Sequence, residues 1–245
     1  MKHILLTITL LYCGITHAQQ FINSGMIEFE VVVNNHKRMG DDDDFWTRMF
    51  KDKTPKLSTS YYNFIFNDNK AVYKYDRKDE KTKMPWDNGA MEDNTWYNDY
   101  AAETYTNYKF VVDNNYLLAG ELMKIDWKLS PNENRVIAGF NCRKATGVIF
   151  DSVYVFAFYT DEILVSGGPM GISGLPGMIL GLTIPRMYTS WVATKLLLNN
   201  VDTRKIVPPL KGKKKNAADL EKSIQVAMDG RGGSWMQQEI WNLFL

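Results

Sequence analysis

The sequence predicts a mainly β protein with one or two helices, built as a strongly curved antiparallel sheet or half-barrel partly wrapped around a helix. Three observations carry this. Apolar and polar residues alternate, as where Ile27, Phe29, Val31 and Val33 are interleaved with Glu28 and Glu30, and a period of two puts each set on its own face of a strand. Asn- and Asp-rich breaks separate such runs at Asn67-Asp68-Asn69 and Asp113-Asn114-Asn115, which is hairpin chemistry. Strand–helix alternation of the kind that builds a parallel sheet is missing.

In chain order, Met26 to Val33 predicts the first strand. Asp44 is placed to cap a short helix through Phe45, Trp46, Met49 and Phe50. Ser60 to Phe66 and Lys70 to Tyr75 predict a hairpin, and Thr104 to Val112 with Tyr116 to Met123 predict another. Lys124 to Leu129 and Arg135 to Thr146 read as strands joined by the turn Ser130-Pro131-Asn132-Glu133-Asn134. Val148 to Thr160 and Met187 to Leu198 are rich in β-branched and aromatic residues, predicting two long strands. Lys211 to Lys215 reads as a solvated linker. Asn216 then caps a second helix, with Leu220, Ile224, Ala227 and Met228 as its stripe and Gly230 as its stop. The tail from Trp235 to Leu245 has no decided period.

The amino terminus predicts export. Lys2 and His3 precede the apolar run Ile4 to Ile15, and Thr16-His17-Ala18 closes it with a small residue. This is the plan of a secretory signal, residues 1–18, with cleavage near Ala18 and a single domain over 19–245 in the periplasm or cell envelope. The run is too short to span a bilayer, and no later segment has the ~20 apolar residues of a transmembrane helix. Cys13 raises a lipoprotein alternative, but Tyr12 stands where a lipobox takes a small residue.

Cleavage also settles much of the chemistry. It removes Lys2 from 29 Lys and Arg that face 28 Asp and Glu, leaving a neutral chain, and a neutral chain lacks the positive charge that binding nucleic acid requires. Of the cysteines and histidines, Cys142 and His36 stay. They allow no intrachain disulfide, fall short of a zinc ligand set and leave any serine or cysteine triad with His36 as its sole base. Asp41 to Asp44 lack EF-hand spacing and read as a solvated acidic turn. No cofactor or metal is implied.

The segment Ser173-Gly174-Leu175-Pro176-Gly177-Met178-Ile179-Leu180-Gly181-Leu182 reads as a sharp turn feeding an apolar strand. Pro176 pre-sets φ, and Gly177 falls where a type II turn needs positive φ. The segment resembles the signature of the GLPGLI family, Porph_ging-type secreted proteins of Bacteroidetes-like bacteria, with Met178 in place of the family's Leu. Ile137-Ala138-Gly139-Phe140-Asn141-Cys142-Arg143-Lys144-Ala145-Thr146 and Ala157-Phe158-Tyr159-Thr160-Asp161-Glu162-Ile163, followed by Gly168-Pro169, resemble two further family segments. The likeness runs from Trp127 to Leu182, and more loosely from Met26 to near Lys213. It implies a family and no reaction. Gly168, Gly171, Gly174 and Gly177 recur every three residues, but four triplets make no collagen helix, and no phosphate-loop motif is present.

Aromatic content points furthest towards function. Trp86, Trp96, Tyr97, Tyr100, Tyr105 and Tyr108 cluster in an Asn- and Asp-rich stretch of weak strand character. Two readings stay open: cross-strand packing, and a concave face that holds an apolar or peptide-like ligand or docks an outer-membrane protein. The candidate contact residues are Leu175, Pro176, Met178, Trp86, Trp96 and Tyr97. Gly174, Gly177 and Cys142 are candidate structural positions, Cys142 as an inert thiol in an alternating strand. The leading expectation is a non-enzymatic periplasmic or envelope binding or accessory protein, serving an outer-membrane transport or secretion system. Its shape would be similar to the half-barrel of periplasmic lipoprotein carriers, a fold-level analogy. The alternative is a hydrolase acting on envelope polymers through paired carboxylates.

Overall fold

The computed structural model describes residues 22–40, 45–83, 89, 91–111, 114–199, 201–227, 240, 241 and 245. Among them, twelve strands form one sheet: β1 (Ser24–Asn34), β2 (Leu57–Asn67), β3 (Lys70–Lys78), β4 (Thr95–Asp99), β5 (Thr104–Val111), β6 (Asn114–Glu121), β7 (Lys128–Ile137), β8 (Phe140–Ile149), β9 (Val153–Thr160), β10 (Met178–Ile184), β11 (Thr189–Leu197) and β12 (Lys213–Lys215). The helices are α1 (Asn35–Arg38), α2 (Phe45–Lys53) and α3 (Ala217–Ala227). The spatial order is β12-β6-β5-β4-β3-β2-β1-β11-β10-β9-β8-β7. Strands β1 to β6 form one meander and β7 to β11 another. The two fuse where β1 pairs with β11, and every pairing is antiparallel except β12 on β6.

This order forces strong curvature. Strands β6 and β7 stand ten inter-strand steps apart, which in a flat sheet is roughly 48 Å. Yet residues 122–127 alone connect them, and such a link reaches at most about 24 Å fully extended. The sheet must curl until its two ends approach, and it stays open because β7 and β6 do not pair. The connection then crosses the hollow, where Ile125 and Trp127 lie over Gly147 on β8.

The core is the inner face of this curl. Ile27, Phe64, Tyr73, Trp96, Asn107 and Leu118 stand opposite one another on β1, β2, β3, β4, β5 and β6, forming one row across the sheet. Aromatic residues fill the row because neighbouring strands bring their side chains within contact. Tyr62 stacks on Tyr73 with ring centroids 4.9 Å apart, and Tyr73 meets Trp96 edge-on at 5.3 Å. Helix α3 lays Leu220 and Ile224 on Val111 and Leu118 at one end. Its start is capped as the sequence predicts: the Asp219 N–H donates to Asn216 Oδ1 at 2.7 Å.

Several sequence expectations need correction. The Asn- and Asp-rich stretch contains a true strand, β4. Ser130 to Asn134 is a bulge inside β7, across which the register with β8 shifts; the true reversal is at Ala138-Gly139, both at positive φ, as a tight two-residue hairpin turn requires. The run Val148 to Thr160 is broken at Phe150 and Asp151, also at positive φ, into the end of β8 and the whole of β9. Apolar residues on both sides hid this turn. The lysine-rich linker contributes β12, which covers part of the β6 edge. Asp44, Met228 and Gly230, and most of the tail, lie outside the described residues, and α1 is a short helix that the sequence reading lacked. Among the described residues, no helix is long and apolar enough to cross a membrane.

On the outer face, Glu28 gathers the central strands. Its carboxylate accepts from Arg77 at 2.8 Å and from the Thr194 hydroxyl at 2.8 Å, and pairs with Lys195 at 3.2 Å. The Arg77 hydrogen bond is the main force that lowers its pKa from 4.5 to about 2. A depressed carboxylate stabilises the fold above its unfolded pKa, and that contribution drains away as pH falls from about 4.5 towards 2. Arg77 is half-exposed, so screening trims the effect. Glu28→Gln is expected to lose about 1–2 kcal/mol at pH 7. Urea titrations from pH 7 to 2 should show a shallower acid limb for the variant, and parallel limbs would refute the assignment.

Candidate functional site

The curl holds two adjoining, partly open cavities of about 170 and 260 Å³, which share Met170 and Leu245 as walls. Tyr62, Tyr73, Trp96, Met187 and Trp191 give the first an aromatic and aliphatic lining. Asn98, Tyr105, Asn107 and Glu121 bring polar groups to the second, whose other walls include Leu122, Met123, Ile172 and Leu245. Strand alternation decides which side chains line them. On β4, Trp96 and Asn98 face inward while Tyr97 faces the other way; on β5, Tyr105, Asn107, Lys109 and Val111 share the inner face and Tyr108 does not.

Three of these inward residues are polar and buried. Asn98 is 0% exposed, Asn107 5% and Lys109 2%. Both side-chain polar atoms of Asn98, and Oδ1 of Asn107, find no hydrogen-bond partner among the described residues. The Tyr100 hydroxyl approaches Asn98 and the Gly168 backbone without reaching hydrogen-bond geometry, and burial raises its pKa. Leaving such atoms unmet costs about 1–3 kcal/mol each, so interiors that serve only packing rarely contain them. The Lys109 ammonium lies 5.1 Å from the Trp96 ring centre, and burial lowers its pKa to about 7. The site therefore combines apolar walls, a buried amine whose charge is disfavoured and unmet amide groups.

The connection between β9 and β10 roofs this chamber. Gly168, Met170 and Ile172 cross the hollow to reach β4. Gly171, at φ +79°, brings its backbone beside the Asn98 amide, where an added Cβ would stand 3.4 Å from Oδ1. The roof is tied down by the Trp127 indole, which donates to the Ser173 carbonyl at 2.9 Å, and by the Gly174 N–H, which donates to Ser166 Oγ at 3.1 Å. A third cavity of about 350 Å³ opens beside Tyr100, Ser173 and Gly174.

The predicted positions fall in different places. Trp96 lines the first cavity. Tyr97 is half-buried on the opposite face, so the two do not meet. Leu175 and Met178 are 2% and 0% exposed and pack into the core, so the accessible part of the signature turn is Pro176 and Gly174. The turn is also tighter than a type II turn: the Gly177 N–H donates to the Leu175 carbonyl at 2.8 Å, which closes a γ-turn centred on Pro176. Gly177 has φ +136°. Cys142 is fully buried on β8, and burial pushes its thiol up to about 11. It should resist thiol reagents in the folded protein and react once urea unfolds it; rapid native labelling would contradict this burial. Trp86 lies outside the described residues. The sequence reading missed Asn98, Asn107 and Lys109. For Asn107 and Lys109 the signal was the period-two spacing they share with Tyr105 and Val111, which already placed polar groups on an apolar face.

Fold and chamber together define a mainly β protein in which an open, curled sheet holds a largely apolar chamber with a few buried polar side chains in its walls. No protein-family model matches the chain, and neither does any curated protein. Among solved structures, the fold is similar to that of PNGF-II in two crystal forms. Both comparisons give a TM-score of 0.52 and 14% identity, covering 82% and 90% of this chain and 33% of that one. The chain thus spans about a third of the length of PNGF-II, and at this identity the likeness concerns the fold alone. An uncharacterized conserved protein from Thermus thermophilus matches at a TM-score of 0.38 with 6% identity, covering 77% of this chain and 90% of that one.

Proposed function

We propose that this chain is a non-enzymatic binding protein of the GLPGLI type, exported to the periplasm or cell envelope, whose inner chamber holds an apolar or peptide-like ligand. In this role it serves an outer-membrane transport or secretion partner. The observation that supports the reading is the chamber itself. Aromatic walls abut the buried Asn98 amide and Asn107 Oδ1, which have no partner among the described residues. A core selected for stability alone would fill this space with aliphatic side chains, whereas a ligand site keeps a few polar groups within apolar walls. The hydrolase alternative needs two facing carboxylates; among the described residues, Glu121 is the acid that lines the second cavity.

Native mass spectrometry tests the proposal. The exported protein is expected to begin at Gln19 and, after incubation with an envelope extract, to carry a bound apolar or peptide-like mass. Met170→Trp, which fills both cavities from the roof, should abolish that mass while the protein stays folded. An empty wild-type protein that turns over envelope polymers would overturn the reading in favour of the hydrolase.

A further inference from the structure

The chamber already contains one occupant, and it is peptide. Leu245 is 1% exposed and lines both cavities. The Trp96 indole N–H donates to its main-chain carbonyl, and its N–H donates to the Trp241 carbonyl at 3.1 Å. Trp241 in turn stacks on Phe150 with planes 1° apart. An apolar side chain is thus buried against the aromatic wall while its backbone is read by a fixed donor.

Next to this segment lie the unmet groups. Among the described residues, Asn98 presents a donor and an acceptor without partners, and Asn107 an acceptor. An asparagine amide with both ends open matches the adjacent N–H and C=O of an extended peptide, which offers one donor and one acceptor per residue. An acyl chain offers neither along its length, so it would leave Asn98 buried and unmet. The part of the chamber that these amides line is therefore better suited to main chain than to lipid.

Building on the binding-protein reading, we infer that the chamber recognises an extended apolar peptide, whose main chain pairs with Asn98 and Asn107 and whose side chains fill the Trp96 wall, and that Leu245 holds part of this site as an internal competitor. Nothing covalent is involved; binding exchanges one peptide segment for another.

Titration calorimetry with a blocked tetrapeptide of alternating alanine and leucine, set beside sodium decanoate, decides the matter. The wild-type protein should bind the peptide in preference to decanoate. Leu245→Ala should bind it several-fold more tightly. Asn98→Leu, of similar size, should weaken it at least tenfold while its melting temperature is unchanged or higher, because an unmet buried amide is removed. Peptide affinity unmoved by Asn98→Leu, or reduced by Leu245→Ala, overturns the inference. Binding of decanoate without peptide overturns it too, while leaving the binding-protein reading intact. Binding of neither overturns both.

Discussion

Gly177→Ala is expected to destabilise the protein by about 3–5 kcal/mol and to lower its melting temperature by about 10 °C or more. A Cβ at this position would stand 2.0 Å from the Thr160 carbonyl oxygen, 2.8 Å from its carbon and 3.0 Å from Asp161 Cα. All three are backbone atoms, so no side chain can swing aside. The φ of +136° adds strain for any residue with a Cβ. Relief would require prising apart the pairing of Met178 with Thr160, where β10 begins, and so would disturb the register of the most buried strand. Gly139→Ala is the control. It also sits at positive φ, +88°, but its Cβ would meet nothing within 4 Å, so it should cost only about 1–2 kcal/mol. Thermal melts of the two variants check the contrast, and equal midpoints would show that the contact with Thr160 does not govern the turn.

Trp96→Ala should cost a comparable amount, about 3–5 kcal/mol, from the cavity left by a large buried ring. The indole contacts Tyr62 and Tyr73, lies against Lys109 and donates to Leu245, so its removal loosens the wall and the occupant together. Tyr97→Ala, one residue on but across the sheet, should cost about 1 kcal/mol or less because that ring is half-solvated. Trp96→Phe keeps most of the packing and loses the indole N–H, placing it between the two. Urea midpoints of the three variants test this order, and a Tyr97→Ala effect as large as that of Trp96→Ala would show that the faces of β4 are misassigned.

Trp96 and Tyr97 are neighbours that the sequence alone does not assign to the inner or the outer face. Composition marked the stretch as rich in aromatics, and alternation determines that neighbours point to opposite faces. Neither tells which face is inward when the strand is five residues long and bordered by Asn and Asp. Leu175 and Met178 show the converse. Their apolar character is consistent with both a docking loop and a core, and they belong to the core because the connection from β9 folds back over the hollow. Cys142 lay in an alternating run, where burial follows from the pattern.

By itself the sequence determined the class of the protein. Period-two alternation, hairpin breaks at Asn67-Asp68-Asn69 and around Asn114, and the Asn216 cap are local signals, each set by the chemistry of a few neighbouring residues. Tertiary structure alone decided where the strands stand and what they enclose. The closing turns at Ala138-Gly139 and Phe150-Asp151 were invisible because apolar residues run through them. The curvature arises because a six-residue link must join strands at nearly opposite ends of the sheet. That curl brings Met170 from the β9–β10 connection in one half of the sheet, Asn98 from the middle of the other half and Leu245 from beyond both into a single chamber. Residues so distant in the chain share no local pattern, and only the long-range packing that buries them together makes them a site.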